Sequence, residues 1–225
     1  MQSEIDAASV VWYHDRQLRE RDWPVMCQGP VPSGVWEAIA ANHRYNGLRW
    51  REDARTHRLD VPPAEIAAGR RLVERYDQKR GDARDAIDGA LLAGLRGIVR
   101  RPDARVASAT PGAMIDRLSA LALQLQQMRV QARCADAEPG HAQACAGKLE
   151  RLLAQRRDLM ACLDALLTEA RDGRAYFRRG SLAPLSGVLP HDVPPQDVPP
   201  HVLRQDLPTY LPPYLPPRPA HGAHP

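Results

Sequence analysis

The sequence predicts an all-α protein: an antiparallel helical bundle of about five helices, followed by a disordered proline-rich C-terminal tail. Three observations carry this. Upstream of Pro184, apolar residues recur at the three-to-four spacing of a helix, and no segment shows the two-residue alternation of a strand. Ala, Leu and Arg are abundant while aromatic residues are scarce, at 5% of the chain, which favours helix over sheet. Finally, 13 of the 21 prolines fall in residues 184–225, where helices cannot continue.

The first helix is expected from Ser3, a cap residue, to about Arg21, with Ile5, Val10, Val11 and Leu18 on its apolar face. Trp23-Pro24 and the prolines Pro30 and Pro32 end it. A second helix starts at the cap Ser33 and runs to about His57 through Val35 and Ile39. The third opens after Pro62-Pro63 and runs from Ala64 to about Leu95, until Gly97 and Pro102 close it. Thr110-Pro111, a cap followed by proline at the first helical position, opens the fourth, which reaches about Cys134. The fifth covers Gln143 to Arg171, with Leu149, Leu152, Leu159, Leu163 and Leu166 at helical spacing. A helical domain over residues 1–183 and a tail over 184–225 follow. Within the tail, Asp192-Val193-Pro194-Pro195 is repeated from Asp197, and Tyr210-Leu211-Pro212-Pro213 from Tyr214. Such segments read as polyproline II, either without a partner or as a peptide that docks on a protein.

Charge and cysteines exclude several classes. Lys and Arg number 31 against 27 Asp and Glu, and the basic residues are interspersed with acidic ones rather than gathered in a run, so nucleic acid is not an expected partner. No stretch is apolar enough to span a membrane, and the acidic start lacks the pattern of a signal peptide. A cytoplasmic location is therefore expected. Cys27, Cys134, Cys145 and Cys162 form no C-x-x-C pair, and the single Glu-x-x-His, Glu138 to His141, falls in a turn. No metal site is expected, and no cofactor is identified.

The polar residues that interrupt the apolar stripes are the candidates for function. On the second helix, the face of Val35 and Ile39 continues through His43, Asn46, Trp50 and Asp53. On the third, Asp77, Arg80 and Arg84 flank the stripe, and Asp82, Asp85 and Asp88 recur every three residues. The fourth adds Asp116 and Arg117, and the fifth adds Arg156. Buried charges are costly unless paired, so such a seam serves either interhelical salt bridges or a ligand. In the second case Arg80 and Arg117 are anion clamps and Arg156 a further ligand contact, because guanidinium forks match carboxylate and phosphate geometry. His43 is then the candidate general acid or base, oriented by Asp53 and Asp82, with Asn46, Trp50 and Asp116 as ligand contacts.

The blocks His43, Asn46, Trp50, Glu52-Asp53 and Arg55; Ile66-Ala67, Arg70-Arg71, Asp77-Gln78, Arg80-Gly81-Asp82 and Ile87-Asp88; Thr110-Pro111-Gly112 with Ile115-Asp116-Arg117-Leu118-Ser119; and Gln155-Arg156 with Asp158-Leu159 stand in a telling order. Over about residues 38–167 the chain resembles the bacterial domain of unknown function family 4254, a helical domain with no assigned reaction. It departs from the family pattern at Asp77 and Gly81, where Asn is usual, and at Gln127, where His often precedes Met128. The resemblance implies a helical domain whose polar set is a candidate site.

The expected function is thus a helical bundle that binds a small anionic molecule in its Arg/Asp/His seam, enzymatic or not. The alternative is a non-catalytic interaction or scaffold protein that uses helix faces and the tail. A homodimer is compatible with either.

Overall fold

The computed structural model describes residues 5–25, 33–57, 62–132 and 141–179. Five helices make up most of it: α1 (Ala7–Gln17), α2 (Val35–Thr56), α3 (Pro63–Gly94), α4 (Pro111–Gln131) and α5 (His141–Arg171). The proline-rich tail, Cys27, Cys134 and the Glu138 turn lie outside the described residues. No helix among the described residues is long and apolar enough to cross a membrane.

Helix starts follow local chemistry, with two departures from expectation. Thr110 caps α4, its hydroxyl accepting from the Ala113 N–H at 3.1 Å, and Pro111 takes the first helical position. Pro63 likewise opens α3. By contrast, α1 begins at Ala7 because Asp6 supplies the cap, its carboxylate accepting from the Ser9 N–H at 2.8 Å, while the expected cap Ser3 lies outside the described residues. Ser33 does not cap α2. Gly34 occupies the cap position with φ 65°, and no side chain bonds there.

α4 is the element around which the others gather. It contacts α1, α2, α3 and α5, while α2 and α3 run along each other in the most extensive helix pair. The main apolar core joins Val10 of α1, Ile39 of α2, Ile87 of α3, Ile115 and Leu118 of α4, and Leu163 of α5. A second cluster, Ala107, Leu166, Ala170, Ala175 and Phe177, lies beneath a feature the sequence pattern does not anticipate. Here β1 (Arg105–Val106) pairs in parallel with β2 (Ala175–Tyr176). Two residues per strand are too few for an alternating pattern to emerge, so the expectation of no strands is corrected by a contact between distant segments.

The junction of α3 and α4 depends on one glycine. A Cβ on Gly112 would stand 2.5 Å from the Arg84 carbonyl oxygen and 2.8 Å from Asp88 Oδ1. Without it, the start of α4 reaches α3 closely enough for the Gly112 N–H to donate to Asp88 Oδ1 at 2.7 Å. Asp88 is buried, and burial pushes its carboxyl above the usual range although bonds from Thr110 and Gly112 favour the charged form. Asp88 is thus an interhelical cap on the positive end of α4.

Candidate functional site

The inward face of α2 carries more polar groups than a core normally holds. Asn42, His43 and Asn46 follow Ile39 at three, four and seven residues and are all buried. They meet Ser119 and Asp116 of α4. His43 Nδ1 is 2.8 Å from Ser119 Oγ. Asn46 Nδ2 donates to Ser119 Oγ at 3.0 Å and to Asp116 Oδ1 at 2.9 Å. Asn42 Nδ2 donates to the same Asp116 oxygen at 2.9 Å. The Ser119 hydroxyl, with one proton and two lone pairs, accepts from Asn46 and forms a second hydrogen bond with His43 Nδ1, so serine joins the amide to the imidazole.

His43 also lies in an aromatic stack. His14 of α1 covers one neighbouring position at 4.3 Å between ring centroids, and Trp23, which follows α1, is stacked at 4.5 Å. Gly47, one turn beyond His43, makes room for the indole: a Cβ there would run into the ring of Trp23. Arg44 holds the segment in place by donating to the carbonyls of Pro24 and Val25 at 3.1 and 3.2 Å. Both nitrogens of His14 are buried without a hydrogen-bond partner among the described residues.

Burial keeps both imidazoles neutral. The His43 pKa falls to about 3 because desolvation disfavours the cation, only partly offset by the nearby backbone of His14. That of His14 falls well below its ordinary value through desolvation, then through His43 and Arg156. Titration near neutrality, expected for His43 from its residue type, is thereby lost. Ser119 is fully buried as well, so its contact with His43 is no accessible nucleophile and base.

The network reaches solvent through charged groups of α2 and α3. Arg80 stands over it with every polar contact to the described residues long: Nε is 3.6 Å from Asp116 Oδ1, and Nη1 is 3.5 Å from Asn46 Oδ1 and 3.6 Å from Asp77 Oδ1. Arg49 Nε approaches the same Asp77 oxygen at 2.9 Å. Arg49, Asp77 and Arg80 are each about one-third exposed, whereas Asp116 is largely covered. The constellation is layered: a neutral buried histidine stack, a shell of amides, serine and carboxylate, and an outer pair of guanidinium groups.

Of the residues singled out from sequence, His43, Asn46, Arg80 and Asp116 come together here. Arg156 acts on His14 electrostatically, and its Nη1 binds both oxygens of Asp15 at 3.0 and 2.9 Å. The others stand apart. Asp82 is exposed and faces Lys79 at 3.7 Å, and Arg117 is exposed. Trp50 and Asp53 lie further along α2, where the Asp53 carbonyl accepts from Thr56 and His57 near the helix end. His14, Trp23, Asn42 and Arg49 are participants that the sequence reading missed. Asn42 had a signal, since it completes the three-and-four spacing from Ile39, and His14 continues the buried face of Ala7 and Val10. Among the described residues no group of three or more His, Cys, Asp or Glu is arranged to hold a metal ion.

No curated protein and no solved structure matches the chain. A family match does exist, and it takes in α2, α3, α4, α5 and β2, hence most of the polar network. Since it spans residues 36–179, well over half of the sequence, the chain belongs to the family described as Protein of unknown function (DUF4254).

Proposed function

We propose that this protein is a helical bundle that binds a small anionic molecule at the α2–α3–α4 seam, with Arg80 as the principal contact and Arg49 beside it. The observation that carries the reading is the state of Arg80. Its guanidinium sits at the mouth of a buried hydrogen-bonded network, yet its contacts with Asp77, Asp116 and Asn46 are all 3.5 to 3.6 Å. Charge-assisted bonds of a guanidinium normally close to about 2.7–2.9 Å, so a carboxylate or phosphate meeting its free donors gains more than the present partners lose. Asn42 and Asn46 fix Asp116, and Ser119 and neutral His43 fix Asn46, which makes the outer layer rigid. In this reading His43 is a positioning group rather than an acid or base, and binding, not turnover, is the expected activity.

The test is a thermal shift of the full chain, wild type beside Arg80→Gln, with inorganic phosphate, small dicarboxylates and nucleotides. A ligand at 100 times its Kd adds about 2.7 kcal/mol, or roughly 5–10 °C for a chain of this size. We expect such a shift with at least one anion in wild type and its loss in the variant. No shift with any anion, or an equal shift in a folded Arg80→Gln protein, refutes the reading.

A further inference from the structure

A second cationic surface lies around the β1–β2 pair and shares no residue with the seam. Arg100 lies over the ring of Tyr176, its guanidinium carbon 4.4 Å from the centroid, and Arg178 approaches the same ring at 5.9 Å. Arg101 is tied to this spot by its backbone, whose N–H donates to the Gly173 carbonyl at 2.9 Å. Arg179 crosses to α3 and comes within 3.6 Å of the point where a Cβ on Gly89 would stand.

Neighbouring carboxylates do not neutralise these four. Glu169 is engaged by Arg105 and Asp172 by Arg174. None of Arg100, Arg101, Arg178 and Arg179 makes an ion pair among the described residues, and neither does the exposed Asp103 in the intervening turn. Two guanidinium groups held against one ring repel each other, and an acidic partner removes that repulsion while gaining the ring-positioned donors.

The surroundings select among acidic partners. Val99 and Val106, 86% and 55% exposed, flank the cluster and offer contacts that a phosphate backbone cannot use. Tyr176 is half-buried with Arg100 against its ring, so it is no open platform for stacking a nucleic-acid base. We infer that the Arg100–Tyr176–Arg178 surface docks an acidic protein segment that alternates carboxylates with apolar side chains.

The experiment uses the full-length protein and a fluorescein-labelled peptide of alternating Glu and Val, followed by anisotropy at low and physiological salt. An all-Glu peptide of equal length and a single-stranded oligothymidine are run beside it. Arg100→Glu combined with Arg178→Glu is expected to weaken the Glu/Val peptide by tenfold or more without lowering the Tm. Arg71→Glu, on the exposed face of α3, is expected to leave binding within twofold. Failure of the peptide to bind overturns the inference, as does binding unchanged by the double variant in a folded protein. Equal binding of the all-Glu peptide overturns the role of the valines, and tighter, arginine-dependent binding of the oligonucleotide assigns the surface to nucleic acid instead.

Discussion

Mild acid should destabilise this protein through His43, by an amount the structure lets us work out. In the unfolded chain His43 takes a proton as the pH falls through about 6.5, whereas in the folded protein it stays neutral until about 3. Its contribution is therefore fully present above pH 6.5 and is lost as the pH drops from there towards 3. Linkage gives about 2 kcal/mol lost between pH 7 and pH 5, and about 5 kcal/mol over the whole window. His14 acts in the same direction. Asp88 acts oppositely: its raised carboxyl contributes stability that is lost as the pH rises through 3.8 towards the folded value. Comparison with a variant isolates His43 from both. In urea unfolding, His43→Asn keeps a hydrogen-bonding partner for Ser119 and lowers stability at pH 7, but the drop from pH 7 to pH 5 should be smaller than in wild type by about 2 kcal/mol. An NMR titration gives a direct check, with the His43 ring signals static across the same range. Equal drops in the two proteins, or a His43 signal that titrates near 6.5 in the folded state, would refute the argument that a buried neutral stack holds α1, α2 and Trp23 together.

Two further outcomes concern the α3–α4 junction. Gly112→Ala should cost about 1–3 kcal/mol, since its Cβ meets a backbone oxygen that cannot move aside, whereas Gly81→Ala, in open space on α3, should stabilise by about 0.5–1 kcal/mol. Paired Tm measurements check both, and a neutral Gly112→Ala would contradict the close approach. Asp88→Ala strands the buried Gly112 N–H and should cost about 1–3 kcal/mol in denaturant unfolding, while Asp88→Asn, which keeps an acceptor, should cost less.

Local patterns sufficed for what is local. Thr110-Pro111 announces α4 because a cap and a first-turn proline act within four residues, and the three-to-four spacing of apolar side chains announces five helices. The same spacing placed His43 and Asn46 on the inner face of α2. It could not separate Asp88 from Asp82, six residues away on one helix, since what distinguishes them is Gly112, 24 residues downstream of Asp88. Nor could it pair Asp15 with Arg156 or Arg100 with Tyr176, because ion pairs and ring contacts depend on distance in space and leave no mark on sequence spacing.

The character of His43 shows the division most clearly. Sequence determines that an imidazole stands on a helix face beside Ile39, with its ordinary pKa near neutrality. Only the arrival of His14, Trp23 and Ser119 from other segments removes water from that ring, and removal of water is what makes it neutral. Desolvation belongs to the assembled environment rather than to a residue, which is why the helices were legible in the chain and the chemistry of their contact was decided by the fold.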